Sequence, residues 1–220
     1  MDPIDDPNWI GNPNLEPEKS TNINAAIGGS FAENVFRWEV IGFWRDVENL
    51  IDTVYDDIEE TDTFANLPGT VEVRGVEFAA NADFNPDISG RLSFTFSSSE
   101  LDGEQIDRVP EQYGNLSLDY HPMNRWFGFS IAARYVGDVH RTIGTFGRTE
   151  YGNYIAIDLG ARVFFDAERH HRVDFNVHNL FDEEYVTLID RMYDNAGTPF
   201  VAEHLGQPQT FLLRYTYSFF

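Results

Sequence analysis

Cysteine is missing altogether from the 220 residues. That excludes a disulfide framework, Cys-ligated zinc and thiol catalysis. Lysine is almost missing: Lys19 stands alone, and 15 basic residues face 37 acidic ones, a formal charge of −22. Nucleic acid is therefore not an expected partner, because phosphate contacts need a basic footprint. No apolar run approaches the roughly 18 residues of a spanning helix. Met1 to Pro7 has neither a basic n-region nor an apolar h-region, so no signal peptide is expected in these residues. Gly-x-Ser-x-Gly, Walker and His-Glu-x-x-His patterns are absent too, and no enzyme activity, catalytic residue, metal centre or cofactor is expected. What the chain does have is aromatics, 15% of residues within a hydrophobic content of 42%. That is too rich for a disordered chain. Yet the aromatics never cluster into a long run.

A period of two shows where they go. Between Tyr154 and Phe165, one face carries Ile155, Ile157, Leu159, Ala161, Val163 and Phe165. Between Trp126 and Tyr135, Phe127, Phe129, Ile131, Ala133 and Tyr135 share a face. Near the end, Phe211, Leu213, Tyr215, Tyr217 and Phe219 do the same. Shorter stripes run through Ile23–Phe31, Phe36–Trp44, Val76–Phe84, Leu92–Phe96, Leu116–Tyr120 and Val173–Val177. The stripes carry no charge. The opposite faces carry Arg37, Glu39, Glu77, Asp83, Arg91, Asp119, Arg134, Asp158, Arg162, Asp174 and Arg214.

Two environments produce such stripes. One is a soluble or surface-attached antiparallel β-sandwich that binds a ligand, with its stripes buried between two sheets. The other is a transmembrane β-barrel with lipid outside and a polar lumen inside. The spacing between strands favours the barrel. Breaks alternate between short ones, such as Ala32–Asn34 and Asn85–Asp87, and long ones at about 49–68, 99–110, 137–152 and 188–206. Outer-membrane barrels have short periplasmic turns and long external loops. Trp44, Tyr120, Tyr135, Tyr215 and Tyr217 sit toward stripe ends, as an aromatic girdle requires.

The reading is thus all-β, an antiparallel up-and-down barrel segment of nine strands: 20–33, 34–48, 69–84, 87–99, 111–122, 125–138, 152–166, 171–188 and 206–220. Residues 1–19 are expected to be an extracellular loop segment leading into the barrel, with 20–220 the C-terminal barrel segment. Bacterial barrels take an even number of strands. Nine strands without an export signal are expected to be the last part of a larger barrel.

Five ordered motifs carry a resemblance. The segment Gly11-Asn12-Pro13-Asn14-Leu15-Glu16-Pro17-Glu18-Lys19-Ser20 comes first, with Asn12, Pro13, Leu15, Pro17 and Glu18 as its marks. Phe43-Trp44-Arg45-Asp46-Val47-Glu48 follows, then Val73-Arg74-Gly75-Val76-Glu77-Phe78, with Gly75 and Glu77. Near the end come Asn179-Leu180-Phe181-Asp182-Glu183-Glu184-Tyr185 and the aromatic finish through Tyr215, Tyr217, Phe219 and Phe220. Together these resemble TonB-dependent outer-membrane receptors, in the C-terminal part of their β-barrel. The resemblance implies a plug and early strands that are absent from this chain. It also implies bacterial outer-membrane location and energy-coupled uptake of a scarce small-molecule nutrient, a siderophore first. Its implied partners are membrane lipid and lipopolysaccharide, the TonB energy-coupling system acting through the absent plug, and the barrel-insertion machinery. That machinery reads the C-terminal aromatics, and here the period-two register ends on Phe219, with Phe220 one residue extra. Haem-type members resemble the Asn-Pro-Asn-Leu segment with a His upstream; residues 1–11 hold none.

Ligand contact is expected from cations, histidines and aromatics in the long breaks. The candidates are Trp9, Tyr55, His140, Arg141, Phe146, Arg148, Tyr151, Arg191, Tyr193 and His204. Arginine's planar fork suits an anionic chelate or a lipid phosphate. His170-His171 reads as a solvated polar turn. The acidic run Asp52–Asp62 reads as a solvated loop, because it lacks the Gly and Glu spacing of an EF-hand.

Overall fold

A computed structural model describes residues 9–33, 35–56, 61–122 and 125–219. Its strands are β1 (Trp9–Ile10), β2 (Lys19–Phe31), β3 (Phe36–Glu48), β4 (Ile51–Asp56), β5 (Thr61–Asn66), β6 (Thr70–Asn85), β7 (Ile88–Leu101) and β8 (Glu104–Gln105). After them come β9 (Gln112–Tyr120), β10 (Phe127–Thr142), β11 (Arg148–Phe164), β12 (His171–His178), β13 (Val186–Tyr193), β14 (Pro199–Leu205) and β15 (Thr210–Tyr217). A 3₁₀ turn, Gly144–Phe146, joins β10 to β11.

The main sheet runs β15-β12-β11-β10-β9-β7-β6-β3-β2, with the short β8 added on β7. Every pair along it is antiparallel. It ends at β2 and β15 without closing. This is the up-and-down order that short turns and long loops imply, as part of a barrel.

The stripes fall into rungs. Trp38, Ala80, Leu92, Leu116, Ala133 and Ile157 lie directly opposite one another across six strands. The neighbouring rung, one residue along, is Arg37, Asn81, Arg91, Ser117, Ala132 and Asp158. One face is therefore apolar and the other polar, because side chains alternate along each strand. Ile27 is 66% exposed and Leu213 71% exposed. No second sheet covers the apolar face among the described residues, which rules out the sandwich. From Phe127 to Tyr135 the belt covers eight steps of about 3.4 Å. At a tilt of about 40° that spans roughly 21 Å, close to the 25 Å apolar band of outer-membrane barrels. Phe94 and Tyr135 stack at 5.9 Å over Gly114, which separates them in register. The rings cover the bare glycine, as in aromatic rescue.

The polar face is a mixed-charge ladder. Arg37 meets Asp83 at 2.7 Å, Arg162 meets Asp119 at 3.0 Å, and Arg172 meets Asp174 at 2.9 Å. Glu39, Glu77, Asp83 and Asp174 do not pair with one another there. Gly75 lies under the Phe43 ring: a Cβ would sit 2.3 Å from Phe43 Cζ and 2.4 Å from the Phe96 carbonyl oxygen. Gly75→Ala is expected to destabilise the sheet by about 1–3 kcal/mol through overpacking. Equilibrium unfolding in detergent checks this.

Three expectations need correction. The supposed loop at 137–152 is mostly strand: β10 continues to Thr142 and β11 starts at Arg148, paired through Thr142↔Arg148. Apolar alternation stops at Gly137 because those faces no longer meet the belt, yet the backbone ladder carries on. The strand expected at 171–188 ends at His178. Asn179 and Asp182 take φ of 50° and 53°, which turns the chain away. Finally, the breaks at 49–68 and 188–206 contain hairpins of their own, β4–β5 and β13–β14.

Candidate ligand-binding site at the long-loop end

All four long connections meet in one cleft of about 770 Å³. Leu50, Asp52, Thr53 and Leu67 come from the β3–β6 connection, and Ile106, Asp107 and Arg108 from the β7–β9 connection. Arg141–Gly144 form the β10–β11 tip, and Asp190 and Arg191 come from β13. Around this end Val139, Ile143, Tyr185 and Ile189 are buried. The loops thus have a small core and hold their polar groups on a packed base.

Each loop is tied by hydrogen bonds. Arg141 donates to Asp190 Oδ1 and to the Ile189 carbonyl. His204 Nε2 reaches the other Asp190 oxygen at 3.1 Å, so one carboxylate joins β10 to both strands of the β13–β14 hairpin. Thr142 donates its N–H (2.7 Å) and its hydroxyl (3.3 Å) to Asp107. Arg148 donates to the Gln105 carbonyl at 2.8 Å. At the hairpin tip the N–H groups of Thr198 and Ala196 hold the Asp194 carboxyl below the usual carboxylate range.

The charges of the cleft are unequally used. Arg141 and Asp190 neutralise each other, and Asp107 is occupied by Thr142. Arg191 lies over the Tyr193 ring at 5.4 Å. Arg108 has its backbone in the left-handed region, φ 66°, with its N–H donated to the His140 carbonyl. Its guanidinium is exposed and makes no hydrogen bond or ion pair among the described residues. Arg108 was not among the expected contacts, although it is one of few cations in a long break. A census of arginines in those breaks finds it. Asp107 and Asp190 were missed for another reason: their partners lie 35 and 49 residues away.

The expected residues divide. Arg141 and Arg191 line the cleft, and His204 braces it through Asp190. His140 pairs with Glu150 at 3.4 Å. Phe146 is exposed on the 3₁₀ turn, while Tyr151 is half-buried on β11. Trp9 and Tyr55 have strand backbones in β1 and β4, but their side chains lie outside the described residues, as does Phe220. Residues 57–60 of the acidic run lie outside as well.

The motif residues turn out to brace the loops. Asn12 donates to the Phe64 carbonyl at 2.9 Å, and Glu18 accepts the Ile51 N–H at 2.8 Å. Asn66, between them, donates to the Glu16 and Asn49 carbonyls. The segment holding Pro13, Leu15 and Pro17 is thereby tied to the base of the β4–β5 hairpin. Gly75 and Glu77 belong to the polar face of β6. Leu180 donates its N–H to the Ile157 carbonyl at 2.6 Å, and Phe181 is exposed. At the other end of the sheet, Tyr215 OH meets His171 Nδ1 at 2.7 Å, and Tyr217 packs edge-on against Phe219 at 4.8 Å. The His170-His171 turn is thus more than a solvated bend: its two N–H groups cap Asp166. Burial works against ionisation there, but those two bonds keep the Asp166 carboxyl below its usual range.

The fold has close relatives among solved structures. The ferric-catecholate import receptor Fiu of E. coli K12 superposes with a TM-score of 0.71 at 22% identity, covering 92% of this chain and 28% of that one. The pyoverdine outer-membrane receptor FpvA of Pseudomonas aeruginosa PAO1 gives 0.73 at 17% identity, covering 93% and 30%. The copper transporter OprC gives 0.72 at 15% identity, covering 94% and 33%. The chain thus spans a third or less of each of these proteins. Residues 3–180 match the family model described as "TonB dependent receptor-like, beta-barrel". With that match across most of its length, the chain belongs to the TonB-dependent receptor family of the outer membrane, within the β-barrel.

Proposed function

We propose that this chain is the C-terminal barrel portion of a receptor for energy-coupled uptake of a metal chelate of siderophore type. The observation that carries this is the cleft where all four long loops meet, with Arg108 exposed and unpaired beside Arg141 and Arg191. Exposed guanidinium in a strongly acidic protein favours an anionic ligand with planar oxygen donors. Two relatives named for iron chelates, Fiu and FpvA, support the same reading. In this reading residues 1–19 approach the barrel from the extracellular side. TonB acts through a plug outside these residues, lipopolysaccharide and lipid meet the apolar belt, and Tyr215, Tyr217, Phe219 and Phe220 serve barrel insertion.

The test uses full-length receptor in outer membranes, with ferric catecholate and ferric hydroxamate chelates as probes. Arg108→Ala is expected to weaken binding of the recognised chelate about 10–100-fold, the worth of one charge-assisted hydrogen bond. Arg125→Ala, at the short-turn end, leaves binding unchanged. Uptake that persists without TonB would mean a passive pore instead.

A further inference from the structure

The apolar belt carries an open groove of about 690 Å³ toward its long-loop edge. Ala25, Gly42, Val76 and Phe96 lie opposite one another in the ladder there, on the belt face. Val76 and Phe96 are exposed, while Ala25 and Gly42 beside them are small. A Cβ on Gly42 would meet nothing nearer than the Ala25 carbonyl oxygen at 3.9 Å, so the floor of the groove is bare backbone.

The next rung outward on the same face is Ile23, Trp44, Arg74 and Ser98. Trp44 stands eight residues from Phe36 along β3, as Tyr135 stands eight from Phe127 along β10. This rung is therefore the edge of the belt, where Trp sits at the headgroup level. Arg74 is the one cation on this face of β6, with its guanidinium 5.4 Å from the centre of the Trp44 ring. The rung beyond is Thr21, Asp46, Glu72 and Glu100, about 7 Å further at two strand steps. Trp44 Nε1 donates to Asp46 at 2.7 Å, Arg74 Nη2 to Glu72, and Ser98 Oγ to Glu100. Glu72 engages one nitrogen of the Arg74 fork. The others make no hydrogen bond among the described residues, and each carboxylate keeps lone pairs to offer.

Moving outward, the face is thus apolar, then cationic, then anionic. A phospholipid with an ethanolamine headgroup has the complementary order of acyl chain, phosphate and ammonium. We propose that the groove binds one phosphatidylethanolamine-type lipid, with an acyl chain over Gly42 and the phosphate on Arg74. Its ammonium lies among Asp46, Glu72 and Glu100. Arginine's fork matches a phosphate, and charge-assisted bonds hold the ammonium. A headgroup that ends in negative charge meets the acidic rung with like charge. So does a second copy of the chain, because in a membrane both copies stand the same way up and their acidic rungs meet at one height. The site is on the lipid side of the sheet and does not depend on the proposed chelate.

Full-length receptor in detergent is mixed with phosphatidylethanolamine, phosphatidylglycerol or lipid A, and native mass spectrometry reads the retained lipid. Wild type is expected to hold one phosphatidylethanolamine about tenfold more tightly than either alternative, the worth of one charge-assisted bond. Arg74→Gln weakens that binding by about tenfold as well. Glu72→Gln combined with Glu100→Gln removes the preference over phosphatidylglycerol. Gly42→Leu fills the groove and abolishes retention, while Arg91→Gln, on the polar face, leaves it unchanged. Heat-dependent gel mobility reports folding of each variant, and Ala25→Leu replaces Gly42→Leu if the latter fails to fold. Equal retention of the three lipids by wild type overturns the proposal, as does a preference for lipid A or phosphatidylglycerol, or a lipid-free dimer. So does wild-type retention in folded Arg74→Gln and groove-filled variants, or its loss in Arg91→Gln.

Discussion

Arginine in place of Ile131 is expected to destabilise the membrane-inserted sheet by about 2–4 kcal/mol. Ile131 lies in the middle rung of the belt, opposite Leu118 on one side and Leu159 on the other. Its side chain is exposed, so in water the change would be nearly neutral. The cost comes from the surrounding lipid, which cannot solvate a guanidinium at that depth. Ala132→Arg, the next residue, places the same group on the polar face, beside Ser117 and Asp158 in register. It is expected to cost less than about 1 kcal/mol. Urea unfolding in lipid vesicles compares the two, and equal costs would remove the membrane assignment of the apolar face.

A second large effect is expected at Asn179. Only 2% of this residue is exposed. Its Nδ2 donates to the Glu183 and Gln207 carbonyls at 2.8 and 3.0 Å, and its Oδ1 accepts the Glu183 N–H at 2.9 Å. Its own N–H goes to Asp158 at 2.9 Å. Asn179→Ala leaves those buried backbone groups unmatched and puts a Cβ-bearing residue without Asn's local bonding at φ 50°. The combined loss is about 3–4 kcal/mol. Asn179→Asp sets a carboxylate oxygen against the Glu183 and Gln207 carbonyls in a buried site, and is expected to cost at least as much. Besides unfolding, limited trypsin digestion reads the outcome: cleavage after Arg191 should accelerate as the β13–β14 hairpin loosens. Unchanged stability and cleavage would mean the network contributes nothing.

The main sheet was legible because lipid imposes a rule on sequence. A strand that crosses the belt must be apolar at every second position, and the stripes through Ile157, Ile131 and Leu213 record this. Where the rule lapses, so does the reading. The β4–β5 hairpin contains Thr61-Asp62-Thr63-Phe64-Ala65-Asn66, which alternates nothing, and only its backbone ladder makes it a strand pair. Extension of β10 past Gly137 was invisible for the same reason. At the cleft, residue type pointed to Arg141, Arg191 and His204, but their common partner Asp190 depends on tertiary pairing. Arg108 is open to a census of arginines in the long breaks, but its lack of a partner depends on tertiary structure.

The Asn179 network also bears on how quickly the sheet can be built. Most neighbours in the sheet are joined by turns of a few residues, so each new strand can zip onto the last. β15 has the longest gap, because residues 179–209 separate it from β12, against 49–69 between β3 and β6. A free loop of that length loses more entropy on closing than a tight turn does. Here Gln209 donates to the Leu180 carbonyl at 2.7 Å and to Asp182 through its N–H, while Asn179 holds Gln207. The two ends of the long excursion are fastened to each other right where β12 ends and β15 begins. In the folded sheet the gap before β15 is thus drawn into a turn-like closure, and its aromatic end stands in register, with Tyr217 opposite His171.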